Sequence, residues 1–160
     1  MAVFLLWNVN KKPLDAFVQS LVRQHNVDVV FLVEYDLVAS QLSQMLLTDG
    51  LVKRSSLPKF GVFARGNHKF RLLPCKLGKR ANMWEWAAPG GQDGNIVLIH
   101  GFDRRNYDDS TRRVLFRRVR EAVLRREKAC GHRRTILAGD FNAHPFESAW
   151  QGPMVCLRLG

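Results

Sequence analysis

The sequence predicts an α/β fold, a layered β-sheet sandwich covered by helices, formed as one domain over residues 1–160. Three observations predict it. Short runs rich in Val, Ile and Phe have the length of buried strands. Between them lie segments with apolar residues at helical spacing. The two kinds of segment mix without the strict alternation of a doubly wound single sheet, so layered sheets with covering helices fit best. An apolar fraction of 46% is enough for a core of this kind.

Residues 3–8 open the chain as a strand. Over 14–25, Leu14, Phe17, Val18, Leu21 and Val22 recur at helical spacing above a polar opposite face. Val27–Val33 is almost wholly apolar and β-branched, the composition of a strand covered on both faces at a central sheet position. A second helix is predicted over 38–48, stopped by Asp49-Gly50. Four short strands follow, Phe60–Arg65, Phe70–Leu73, Met83–Ala88 and Asn95–Gly101, separated by Gly, Pro and Asn. Asp109 or Ser110 then caps a long helix that runs to about Ala129 and closes at Gly131, with Leu115, Val119, Ala122 and Val123 as its buried stripe and the arginines outside it. Thr135–Asp140 is a last buried strand that ends on a carboxylate.

Composition excludes several classes. No apolar run reaches the roughly 18–20 residues a bilayer crossing needs. The start is apolar but lacks a basic leader and a small-residue cleavage site, and it turns polar at Asn8, which points to a cytoplasmic protein. Cys75, Cys130 and Cys156 are odd in number and lack a CxxC spacing, so they read as free buried thiols rather than a disulfide framework or a zinc site. Lys and Arg number 25 against 14 Asp and Glu, a net charge of +11, which favours a polyanionic partner met through phosphate contacts. The excess concentrates between Arg104 and Arg134, where twelve basic residues face four acidic ones. The helix that holds most of them reads as a solvated outer surface, and Trp84, Trp86 and Trp150 read as core or edge packing rather than base-stacking platforms.

The chemistry concentrates where strands end. Asn8 follows Phe4-Leu5-Leu6-Trp7, Glu34 follows Val29–Val33, His100 follows Ile96–Ile99, and Asp140 follows Ile136–Gly139 with Asn142 two residues on. Rigid sheets present side chains at strand ends, so these positions suit one shared site. Glu34 and Asp140 are hard carboxylates of the kind that bind Mg²⁺. Asn8 and Asn142 add polar oxygens and N–H groups without charge. His100 is placed to donate a proton or a hydrogen bond to a developing phosphorane oxygen.

Three motifs in this order resemble the endonuclease/exonuclease/phosphatase superfamily: Trp7-Asn8-Val9-Asn10, Asp28–Glu34, and Gly139-Asp140-Phe141-Asn142-Ala143-His144-Pro145. The resemblance runs from Phe4 to about Pro145 and extends to the strand, histidine, loop and long helix of deoxyribonuclease-like members. It implies a divalent-metal-dependent phosphodiester hydrolase using Mg²⁺ or Mn²⁺, with DNA as the favoured substrate. The resemblance places Glu34 and Asn8 on the metal, Asp140 on the attacking water, Asn142 on the scissile phosphate and His100 near the leaving group. Arg104 and Arg105, just past His100, are the candidate contacts to substrate phosphates. One departure stands out: the family's closing Ser-Asp-His-type motif has no counterpart after Pro145, which reads as a sandwich whose C-terminal half is truncated. The alternative reading is a catalytically impaired fragment or pseudo-enzyme that binds nucleic acid or a protein through its basic surface, and a sheet face left uncovered would favour self-association.

Overall fold

The computed structural model describes residues 2–35, 41–55, 57, 59–75, 77–91 and 93–143. Eight strands and three α-helices follow in the order β1 (Phe4–Asn8), α1 (Asp15–Gln24), β2 (Val29–Tyr35), α2 (Leu42–Thr48), β3 (Leu51–Ser55), β4 (Lys59–Arg65), β5 (Lys69–Leu73), β6 (Ala81–Ala87), β7 (Gly94–His100), α3 (Asp109–Cys130) and β8 (Thr135–Asp140). They form two mixed four-stranded sheets, β1-β2-β4-β3 and β5-β6-β7-β8. The first sheet with α1 and α2 makes one compact unit, and the second sheet with α3 makes another. Among the described residues, no helix is long and apolar enough to cross a membrane.

In the first unit, β2 lies between the parallel β1 and the antiparallel β4. Its run Val29–Val33 is buried at every position, which is why it lacks the alternation of a half-exposed strand. Leu5, Trp7, Val30, Leu32 and Phe63 share one face, and Leu14, Val18 and Val22 of α1 with Leu42 and Leu46 of α2 pack on it. Phe17 departs from the expected stripe: it is exposed, although its ring meets Trp7 edge-on at 5.3 Å. Val27 belongs not to the strand but to the exit from α1, since its N–H donates to the Val22 carbonyl.

Strand β3 is the element the sequence hides. Leu51-Val52-Lys53-Arg54-Ser55 has two apolar residues followed by two cations, the composition of an edge strand. Its antiparallel ladder to β4 supplies the hydrogen bonds that local propensity does not advertise. The helix predicted over 38–48 is Leu42–Thr48, and residues 36–40 lie outside the described ones.

In the second unit, β7 runs antiparallel to β6 and parallel to β8. Every residue of β7 is buried. Met83, Val97, Ile99 and Leu137 form the face against which Leu115, Phe116, Val119, Ala122 and Val123 of α3 pack. The helix cap is Asp108, whose carboxylate accepts from Thr111 N–H at 2.8 Å, one residue ahead of the expected cap. Gly131 closes the helix in the left-handed conformation, φ 72°. Two helix cations turn inward, against expectation: Arg112 is 1% exposed, and half-buried Arg126 donates to Glu85 and Asn95. Trp84 is core. Cys75 and Cys130 are free and only half-buried, and Cys156 and Trp150 lie outside the described residues.

Candidate active site

In the first unit, the parallel register sets Asn8 beside Val33, one residue before Glu34. The β2–β4 ladder slips between Val33 and Tyr35, so Glu34 sits in a bulge with φ 55°. A left-handed glutamate is uncommon and costs on the order of 1–2 kcal/mol. The strain is concentrated: Asn10 and Lys11, which follow β1, also have positive φ, 48° and 56°. The Glu34 carbonyl accepts from Lys11 N–H at 2.9 Å, which ties the bulge to that loop. Strain held against a rigid sheet is the usual mark of a functional position. Asn8 Nδ2 donates to Glu34 Oε1 at 3.5 Å, while Asn8 Oδ1 accepts from Asn10 N–H at 2.9 Å. Asn8 therefore steadies the Glu34 carboxylate, and its own oxygen is engaged by the backbone.

In the second unit, β7 and β8 pair His100 directly with Asp140, on one face of the sheet. His100 is 5% exposed. The chain leaves both strands through one joint. Gly101 N–H donates to the Asp140 carbonyl at 2.7 Å, Asn142 N–H donates to Asp140 Oδ1 at 2.9 Å, and Asn142 Nδ2 donates to the Gly101 carbonyl at 3.2 Å. Asn142 is held left-handed, φ 48°. Two glycines permit this closeness. A Cβ on Gly139 would stand 1.9 Å from the Ile99 carbonyl oxygen, and one on Gly101 2.1 Å from that of Phe141. The glycine of the Gly-Asp-Phe-Asn motif is thus a packing requirement that brings Asp140 level with His100.

Two residues that the sequence reading passed over support this joint. Arg112 reaches from α3 to donate to the Asn142 carbonyl at 2.7 Å and pairs with Asp109 at 3.0 Å. Its helical spacing to Leu115, Phe116 and Val119 already puts it on the buried stripe, which was the available signal. Arg80 donates to the Gly101 carbonyl at 3.3 Å, and its guanidinium lies over Phe102 (4.9 Å) and Tyr107 (5.6 Å). No local pattern announces that contact.

Arg104 and Arg105 are exposed in the loop after His100. Asp103 organises that loop by accepting from Asn106 Nδ2 and from the N–H groups of Asn106 and Arg105. These bonds, the Asn106 side-chain amide first, hold its carboxyl below the usual carboxylate range, although loss of solvent acts the other way. The structure thus assembles the expected residues as two groups, Asn8 with Glu34 in one unit and His100 with Asp140 and Asn142 in the other. His144 and Pro145 lie outside the described residues.

The donor set suits a hard divalent cation, since Mg²⁺ needs only one or two carboxylates and fills its shell with water and phosphate oxygens. Among the described residues, no three His, Cys, Asp or Glu side chains gather for a metal, as a closed zinc site would require.

The family model described as the endonuclease/exonuclease/phosphatase family matches residues 5–149. Solved structures share the fold. The human Nocturnin catalytic domain with bound sulfate is 15% identical, with TM-score 0.69, covering 92% of this chain and 66% of that one. D. rerio TDP2 complexed with a single-strand DNA product is 20% identical, with TM-score 0.63, covering 89% of this chain and 61% of that one. The endonuclease domain of TRAS1, a telomere-specific non-LTR retrotransposon, is 14% identical, with TM-score 0.60, covering 90% of this chain and 60% of that one. The chain thus spans 60 to 66% of the length of these structures. No curated protein matches the sequence.

Proposed function

The chain belongs to the endonuclease/exonuclease/phosphatase family, and from that premise we propose that it is a divalent-metal-dependent phosphodiester hydrolase acting on nucleic acid, with DNA the favoured substrate. The observation that carries the reading is the joint at the ends of β7 and β8, where His100, Asp140 and Asn142 are fixed by backbone contacts only glycine permits. Such rigidity suits groups that must act at a fixed phosphorus centre.

Each residue has a role that its chemistry allows. Glu34, steadied by Asn8, holds Mg²⁺ or Mn²⁺, and the bound cation would neutralise charge developing on the phosphate. Asp140 orients the attacking water and takes its proton. Asn142 uses its side-chain amide on the phosphate, with its backbone pinned by Arg112. His100 donates to the leaving-group oxygen. Arg104 and Arg105 meet flanking phosphates, since exposed guanidinium groups match phosphate geometry. Nucleic acid is favoured by the net charge of +11 and by two proteins of similar fold, D. rerio TDP2 complexed with a single-strand DNA product and the TRAS1 endonuclease domain.

The test is hydrolysis of supercoiled plasmid and of bis-p-nitrophenyl phosphate in Mg²⁺, Mn²⁺ or EDTA, with wild type beside Asp140→Ala. Metal-dependent turnover that Asp140→Ala abolishes supports the proposal. Folded wild-type protein without activity in either metal refutes it.

A further inference from the structure

Helix α3 turns its apolar stripe inward and leaves a largely cationic face outside, broken by Glu121 and the exposed Leu124. At 3.6 residues per turn, Arg113, Arg117, Arg125 and Lys128 fall opposite Leu115, Val119 and Val123, Arg118 and Arg120 lie on the two flanks, and all six are exposed. They span about 22 Å of helix. One acid, Glu121, shares that face; Glu127 is buried and accepts from Thr135 Oγ1 at 2.8 Å. Among the described residues, Arg117, Arg118, Arg120, Arg125 and Lys128 make no ion pair. Like charges three and four residues apart oppose the helix that carries them. Arg117–Arg120 stands at such a spacing, offset in part by Glu121, which lies four residues from both Arg117 and Arg125. Six exposed cations against one acid leave this face strongly positive, a charge that suits a polyanionic partner.

The chemistry of the face selects that partner. It bears no aromatic side chain, so it offers no platform on which unpaired bases stack, the usual device of single-strand binders. A line of exposed cations instead matches a phosphate backbone read without regard to sequence. Side chains alternate across a strand, so Val97, Ile99 and Leu137, which carry α3, lie on the sheet face opposite His100 and Asp140. We propose that the outer face of α3 docks the backbone of a nucleic-acid duplex, as a second binding surface separate from the catalytic residues. The proposal goes beyond the hydrolase reading and does not depend on turnover.

The test is fluorescence anisotropy of a labelled 30-base-pair DNA duplex with the full chain, in EDTA, from 50 to 300 mM NaCl. Six phosphate contacts predict a slope of log K against log salt of about −5, and Gln at Arg117, Arg118, Arg120 and Arg125 together should flatten it by about 3.6. Each single Gln variant should flatten it by about 0.9, and Lys at the same four positions should keep it. These single and Lys variants keep the test decisive if the fourfold Gln protein does not fold. An unchanged slope in the Gln variants overturns the proposal. So does binding to vesicles containing phosphatidylserine without binding to the duplex. Turnover of bis-p-nitrophenyl phosphate by the Gln variants should equal that of wild type. An inactive wild type with the steep, Arg-dependent slope refutes the hydrolase reading and upholds this surface.

Discussion

Replacing Gly139 with alanine tests the joint that positions Asp140. The added Cβ would lie 1.9 Å from the Ile99 carbonyl oxygen and 2.8 Å from the Ile99 carbon and nitrogen. An ordinary carbon–oxygen contact needs about 3.3 Å, so β8 must retreat from β7 by roughly 1.4 Å. The obstacle is backbone of a fully buried strand and cannot swing aside. The φ of 139° adds about 1–3 kcal/mol for any residue with a Cβ. Separating the strand ends also weakens the two hydrogen bonds across the joint, Gly101 N–H to the Asp140 carbonyl and Asn142 Nδ2 to the Gly101 carbonyl, at about 1 kcal/mol each. The total is about 3–5 kcal/mol, a fall in Tm of about 10–15 °C for a chain of this size. Gly131→Ala is the control, because its φ of 72° is strained but nothing lies within 4 Å of the added Cβ. It should cost about 1 kcal/mol, the left-handed strain alone. Thermal unfolding by circular dichroism checks both. A Gly139→Ala Tm within 3 °C of the control would refute the steric reasoning.

Three further outcomes are expected. Glu34→Asn relieves the left-handed strain, because asparagine tolerates φ 55°, so Tm should hold or rise by up to about 4 °C while metal-dependent hydrolysis drops more than about 100-fold; a marked loss of Tm contradicts this. Arg112→Met leaves the Asn142 carbonyl without its 2.7 Å guanidinium partner, so unfolding should become easier by about 2–3 kcal/mol in urea titrations, and an unchanged midpoint would show the contact to be idle. Burial lowers the His68 pKa below the ordinary histidine value near 6.5, with Asp28 opposing and Arg54 and Arg65 assisting. The unfolded chain therefore binds a proton below about pH 6.5 that the folded chain refuses, so stability is full above that pH and falls as pH drops below it. Tm measured from pH 7.5 to 5.5 should decline in wild type and flatten in His68→Gln; equal slopes would assign the decline elsewhere.

The sequence by itself determined the elements whose signals are local. The uninterrupted apolar run at Val29–Val33 marks a central strand, because a strand covered on both faces is apolar at consecutive positions. The stripe of α3, its closing glycine and the span of β8 were legible for the same reason, since period and capping act within a turn or two of the chain. The residue types at strand ends marked the candidate chemistry, because strand ends are where a sheet presents polar groups. What the tertiary structure alone decided is non-local. Strand β3 exists because β4 offers it a ladder, and Lys53 and Arg54 conceal it in the sequence. The bulge that strains Glu34 arises from register between β2 and β4. The pairing of His100 with Asp140 depends on a parallel crossover through α3, and the need for Gly139 depends on a carbonyl forty residues earlier in the chain. Arg112 and its neighbour Arg113 differ only in which side of α3 they occupy: packing turned one toward Asn142 and left the other exposed on the outer face.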